Sequence, residues 1–245
     1  NIILCDKKVG VLSHPDDNEY IDTLIGRIKR YLYEKGEYKP DGSQFPYDLP
    51  SLYDNKDAFF ERVKNHILSV GNAFKGELCH WDVMNEVTKN PDLVDQYGVE
   101  YMKLLYETSR QVDPDAKLYI TETGINRAGS EQYVGFTKHV DALVNNNIPF
   151  DGIGIQGHLS TFDSPQVWYD MIESLYQKYD KEISITEFDM DSDNEDAQAN
   201  YTRDILIATF SNEHVDGFYM WGFWDGIHWL GNAPVYKKDW TLKKS

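Results

Sequence analysis

The sequence predicts an α/β protein of the (β/α)8 (TIM) barrel class, incomplete within its 245 residues. Three observations carry the prediction. Five apolar, β-branched runs alternate with amphipathic helical segments, the pattern of parallel strands joined by right-handed crossovers. None of the runs is followed by the glycine-rich phosphate turn expected of an open doubly wound sheet. Four of the five end in polar or aromatic groups, as barrel strands do at the face that carries an active site.

The runs, in order, are ELCHWDVMNE (77–86), KLYITETG (117–124), DGIGIQGH (151–158), EISITEFDM (182–190) and VDGFYMWGFWD (215–225). Each reads as a buried strand by its length and its Val, Ile and aromatic content. A helix over KDAFFERVKNHILSV precedes the first run. The segments GVEYMKLLYETSRQ, SEQYVGFTKHVDALVNN, SPQVWYDMIESLYQKY and DAQANYTRDILIATF carry apolar residues at three-and-four spacing, as crossover helices require. Ser164 before Pro165 is a helix start, with a capping hydroxyl ahead of a residue preset for the first turn.

The ring does not close within this length. Eight units at a repeat of roughly 34 residues need about 270, and a typical barrel has about 250, yet the first clear strand begins near residue 77. Residues 1–55 offer the short apolar runs NIIL and VGVL, an amphipathic helix over EYIDTLIGRIKRYLYEKG and a loop rich in Pro, Gly and Asp. Strands 4 to 8 of the barrel are therefore recognisable, and the early strands and the final helix are expected to be missing. The division this suggests is an N-terminal segment, 1–50, of unassigned role, and a partial barrel domain, 51–245. The chain begins with Asn rather than Met, as a processed or excised piece would. The missing wedge, carried by the same parent protein, is then an expected partner.

Composition narrows the function. The balance of 41 Asp and Glu against 24 Lys and Arg gives a net charge of −17, which repels nucleic acid and anionic membrane surfaces. A neutral partner such as a sugar polymer fits better. No run is long and apolar enough for membrane insertion, and the first residues lack the apolar core of a signal peptide. Two cysteines, Cys5 and Cys79, make no disulfide framework and leave the compartment open.

A buried strand has little reason to finish on carboxylates unless they work, and Glu86 and Glu187 stand at equivalent ends of two strands. Glycoside hydrolysis needs two carboxyl groups flanking the scissile bond. The segments WDVMNE, GIGIQGHL, ITEFDM and WGFWDGIHW, in this order and near this spacing, resemble the family-10 glycoside hydrolases, whose usual activity is endo-β-1,4-xylanase. The similarity runs from about Leu52 to Trp240.

What the resemblance implies is a retaining, double-displacement enzyme acting on xylan or xylo-oligosaccharides, without metal or organic cofactor, and secreted or cell-surface/periplasmic. Glu86 would be the general acid/base, holding its proton in Trp-rich surroundings, and Glu187 the nucleophile. Asn85 would bond the substrate 2-hydroxyl. Gln156 and His158 resemble the pair beside the nucleophile, with Asp189 supporting His158, and Trp221 and Trp229 resemble the walls of the glycone subsites. Asp82 is expected to pack under the site, and Asp225 to cap a turn.

The sequence also departs from that family. The Asn-containing turn after the first family strand and the Gly-His…Trp-His strand, which hold the glycone sugars, are not found. Where the family reads Asn-Asp-Tyr-Asn, this chain reads Thr121-Glu122-Thr123-Gly124, and Glu122 is expected to be a solvated charge. One alternative is a catalytically weak, carbohydrate-binding remnant of the fold. A weaker one rests on His14-Pro15-Asp16-Asp17, which resembles the zinc-binding turn of sugar deacetylases. There Asn18 stands in the place of the usual Glu, and a proline turn into the following helix explains the motif more simply.

Overall fold

The computed structural model describes residues 2–4 and 48–244. The helix expected near residues 19–36 and the His14–Asp17 turn lie outside the described residues, as does most of the N-terminal segment. Strand β1, Ile2–Leu4, pairs antiparallel with β2, Leu78–Asn85. The chain then alternates helix and strand. α1 (Lys56–Ala73) leads into β2; α2 (Asp92–Val112) into β3 (Lys117–Glu122); α3 (Glu131–Asn145) into β4 (Gly152–Ile155) and the two-residue β5 (His158–Leu159). α4 (Pro165–Tyr179) leads into β6 (Glu182–Met190), and α5 (Glu195–Phe210) into β7 (Val215–Met220).

The five long strands pair in sequence order, β2–β3–β4–β6–β7, and every one of these pairs is parallel. This is an incomplete (β/α)8 barrel, with the strand positions that the sequence predicts. β1 is the exception. Neighbours in such a barrel are parallel, so an antiparallel β1 is not a barrel strand but a cover for the exposed hydrogen-bonding edge of β2.

Local chemistry explains the helix starts. Ser164 accepts from Gln166 N with Pro165 opening α4, Ser130 accepts from Tyr133 N at α3, and Asn194 accepts from two amides at α5. Each cap satisfies amides that a helix start leaves without partners. α2 is broken at Gly98, whose φ of 62° and ψ of −149° are non-helical.

The sheet has two different faces. Toward the helices, Leu118, Ile120, Ile153, Ile155, Ile183 and Ile185 are fully buried against Phe136, Val140, Leu143, Met171 and Leu175. Burying each such side chain contributes roughly 1.5–3 kcal/mol. Toward the barrel interior, the alternate residues are small or polar. A Cβ on Gly152 would lie 2.2 Å from the Tyr119 ring, and one on Gly154 would lie 2.1 Å from Thr121 Oγ1. These two glycines let the bulkier residues of β3 fill the interior. His80 stacks on Tyr119 with ring centroids 3.9 Å apart, and Thr121 donates to Asp82 at 2.9 Å. Asp82 thus packs beneath the site, as expected.

Three details depart from the sequence reading. The run 151–158 is not one strand: it stops at Ile155, Gly157 takes a φ of 81°, and His158 resumes pairing beside Asp189. The last strand ends at Met220, and Trp221 begins a loop. Cys79 is disulfide-bonded.

Candidate active site

The site is assembled at the C-terminal ends of the parallel strands. β2 slips register between Asp82 and Met84, which re-aims its last residues, and its hydrogen-bonding continues as Glu86 N donates to Thr121 O at 3.0 Å. Glu86 itself has a φ of 55°, in the left-handed region. That conformation costs a non-glycine residue roughly 1–2 kcal/mol, and such strain gathers at functional sites.

Just beyond β4, the fully buried Gln156 reaches both residues at this turn. Its Nε2 donates to Asn85 Oδ1 at 3.0 Å and to Glu86 Oε1 at 3.1 Å. The other Glu86 oxygen lies 3.2 Å from Lys89 Nζ and accepts from Asn90 Nδ2 at 3.3 Å. Among the described residues, the polar partners of Glu86 are thus two amides and an ammonium group, with no Trp among them. The turn that follows Glu86 carries two of them, which strand reasoning does not consider.

Glu187, from β6, is almost fully buried, and its amide donates to Gln156 O at 2.9 Å, which fixes it beside β4. His158 bridges it to Asp189: Nε2 stands 3.1 Å from Glu187 Oε2, and Nδ1 stands 2.9 Å from Asp189 Oδ2. Burial works against a charge on the ring, but the carboxylates of Asp189 and Glu187 beside it outweigh it and push His158 up to about 9. The imidazole is thus positively charged at neutral pH, with a carboxylate at each nitrogen.

Both tryptophans border this group. Trp229 is 61% exposed and its Nε1 donates to Asp189 Oδ2 at 2.9 Å, while its ring lies edge-on to His158 with centroids 5.1 Å apart. Trp221 is 45% exposed, with its ring 6.3 Å from His158. Exposed aromatic faces beside buried carboxylates suit a sugar ring, which is apolar on its faces and polar at its rim. The structure therefore brings Asn85, Glu86, Gln156, His158, Glu187, Asp189, Trp221 and Trp229 into two contact groups, joined through Gln156.

Two residues read differently in the sequence. Asp225 is held by Lys243 at 2.9 Å, with both side chains nearly buried, an ion pair rather than a turn cap. Glu122 is fully buried and bonded to three donors, so it is not a solvated charge. Its signal in the sequence was its place at a strand end beside Thr121. His228, which the sequence reading did not single out, also approaches the site, with Nε2 3.6 Å from Asp189 Oδ2.

Similarity to known proteins agrees with this geometry. Residues 42–244 match Glycosyl hydrolase family 10. Endo-1,4-beta-xylanase A of Caldicellulosiruptor saccharolyticus is 27% identical over 94% of this chain and 77% of its own length. The anti-sigma-I factor RsgI6 of Acetivibrio thermocellus is 27% identical over 80% of this chain, which spans 26% of that protein. Endo-1,4-beta-xylanase 3 of Hypocrea jecorina is 26% identical over 78% of this chain, which spans 55% of that enzyme. Among solved structures, xylanase 10B from Thermotoga petrophila RKU-1 in complex with xylobiose superposes with a TM-score of 0.74, at 23% identity, over 82% of this chain and 68% of that one. With the match covering most of its length, this chain belongs to glycosyl hydrolase family 10.

Proposed function

We propose that the chain carries the catalytic carboxylates of a retaining endo-β-1,4-xylanase that cleaves internal bonds of xylan or xylo-oligosaccharides. The observation that carries the reading is the pairing of Glu86 with Glu187 across Gln156, with His158 seated on the second carboxylate. In the first step an oxygen of Glu187 attacks the anomeric carbon, the glycosidic C–O bond breaks, and Glu86 gives its proton to the departing oxygen. In the second, Glu86 takes a proton from water, whose oxygen displaces Glu187 and restores the anomeric configuration. His158 offers Glu187 a charged hydrogen bond and fixes which oxygen faces the sugar. Asn85, steadied by Gln156, is placed for the sugar 2-hydroxyl, and Trp221 and Trp229 form the stacking walls.

Family relationship supports the substrate class, because the relatives that share the fold include xylanases. We further propose that barrel strands from the same parent protein close the ring and complete the sugar-binding face. A secreted or cell-surface/periplasmic location is supported by the disulfide at Cys79, which persists in an oxidising compartment. The alternative of carbohydrate binding with weak turnover draws support from the match to an anti-sigma factor, a regulator by its name.

The test compares this chain and a longer form of its parent on xylan, reading reducing-sugar release. Release that disappears in Glu187→Ala is the expected result, with added azide partly restoring bond cleavage as a xylosyl azide detected by mass spectrometry, since azide replaces the lost nucleophile. Binding of xylo-oligosaccharides without release by either form favours the alternative.

A further inference from the structure

A carboxylate at the end of a parallel strand normally meets water, yet Glu122 has no exposed surface. Burying such a charge without partners costs several kcal/mol, so its contacts must compensate. Among the described residues they are three hydrogen-bond donors. Oε2 accepts from Thr88 N at 2.7 Å, and Oε1 accepts from Thr123 N at 3.0 Å and from Gln132 Nε2 at 3.3 Å. These donors belong to the turn after β2, to the end of β3 and to α3.

The first contact matters most, because Thr88 lies two residues beyond Glu86. The turn begins with Glu86 in its left-handed conformation, closes with Asn90 N on Glu86 O at 2.8 Å, and is tied to β3 through Thr121 O. Thr88 also packs on α3, with its Cγ2 2.5 Å from where a Cβ on Gly135 would lie. A strained residue persists only when its surroundings over-determine it. Glu122 supplies the lateral restraint: its two oxygens fasten the turn on one side to β3 and α3 on the other. Burial pushes its carboxyl above the usual carboxylate range, and the bonds from Thr88, Thr123 and Gln132 pull the other way.

We propose that Glu122 is a positioning residue, which clamps the turn bearing Glu86 through the Thr88 amide and so aims the acid/base at the glycosidic oxygen. The proposal rests on the assignment of Glu86 given above. It makes a claim that general stabilisation does not: loosening the clamp should spoil proton donation more than nucleophilic attack. A leaving group that departs unaided needs no proton.

The test uses the chain with Glu122→Ala and Glu122→Gln. It reads kcat/KM on a phenyl and a 2,4-dinitrophenyl β-xylobioside, and the hydrogen exchange of the Thr88 amide by NMR. Glu122→Ala should lower kcat/KM on the phenyl substrate by about 100-fold, the scale of a small misplacement, and on the dinitrophenyl substrate by less than about tenfold. Its Thr88 amide should exchange at least about tenfold faster. Glu122→Gln keeps an acceptor for Thr88 and should recover most of the phenyl activity. If Glu122→Ala does not fold, Glu122→Asp decides, since the shorter side chain retreats from Thr88 and should show the same split at about tenfold. Equal losses on the two substrates, or unchanged Thr88 exchange, would overturn the proposal. Should the unaltered chain and its longer parent turn over neither substrate, the xylanase reading fails, while the Thr88 exchange still decides whether the clamp exists.

Discussion

Asp189 shows how much one side chain can organise. Its Oδ2 lies 2.9 Å from His158 Nδ1 and accepts from Trp229 Nε1 at 2.9 Å, so one carboxylate orients both the partner of Glu187 and the Trp229 ring. Removing it should disturb substrate binding and chemistry together: Asp189→Ala is expected to lower kcat and raise KM for xylohexaose, where loss of Trp229 alone should act mainly on KM. An Asp189→Ala enzyme with unchanged KM would show the two functions to be separate. His158 gives a second prediction, in pH. Its ring is raised from 6.5 to about 9 on folding, so its contribution to stability is fully present below about 6.5 and is lost as pH rises through about 9. The loss is on the order of 3 kcal/mol at most, and urea midpoints measured across that range should fall for the parent chain and stay flatter for His158→Asn. Parallel curves would contradict the charged bridge. At this scale the sequence was informative at several strand ends: Asn85, Glu86, Gln156, His158 and Glu187 lie in or just beyond β2, β4, β5 and β6 and meet there, whereas Glu122, which also ends a strand, is buried rather than solvated. Lys89 and Asn90 were not legible, because they reach Glu86 from a turn whose path depends on the left-handed φ of Glu86.

Among the elements, β4 is the shortest of the long strands and the most constrained. Its interior face is glycine because β3 presents Tyr119 and Thr121 directly against it. Gly154→Ala should therefore be an overpacking change, with a cost of roughly 1–3 kcal/mol in urea unfolding, and Thr121→Ala in the same chain should relieve most of it. A Gly154→Ala variant as stable as its parent would show that the interior is looser than the register implies. The strands and helices were legible because short apolar, β-branched runs and three-and-four apolar spacing report burial directly. Their ends were less so. β4 stops at Ile155 and β7 at Met220 because Gly157 and Gly222, with φ of 81° and 140°, turn the chain where the apolar run continues. The antiparallel pairing of β1 was hidden for a different reason: NIIL fits either direction, and its partner lies more than seventy residues away.

For the molecule as a whole, the five-strand arc leaves different edges on its two sides. β1 covers β2, whereas among the described residues no strand pairs the outer edge of β7, where Tyr219, Met220 and Trp221 are 38%, 40% and 45% exposed. An open edge invites pairing with another copy, and a net charge of −17 opposes it. Raising salt from about 0.05 to 0.5 M, which shortens screening to a few ångströms, should therefore increase self-association in analytical ultracentrifugation, and a longer parent that pairs β7 should not respond. Association that falls with salt would point to charge attraction instead. The central claim remains that Glu86 and Glu187 divide one reaction between them, and mass spectrometry of a trapped intermediate tests it most directly. An activated 2-deoxy-2-fluoro-β-xylobioside slows both steps but leaves without needing a proton, so it should accumulate as a covalent ester. Digestion of the labelled protein is expected to place one disaccharide on the peptide containing Glu187, with no label in Glu187→Gln. A label on a different carboxylate, or turnover of the reagent to the inverted anomer with no ester formed, would contradict the account.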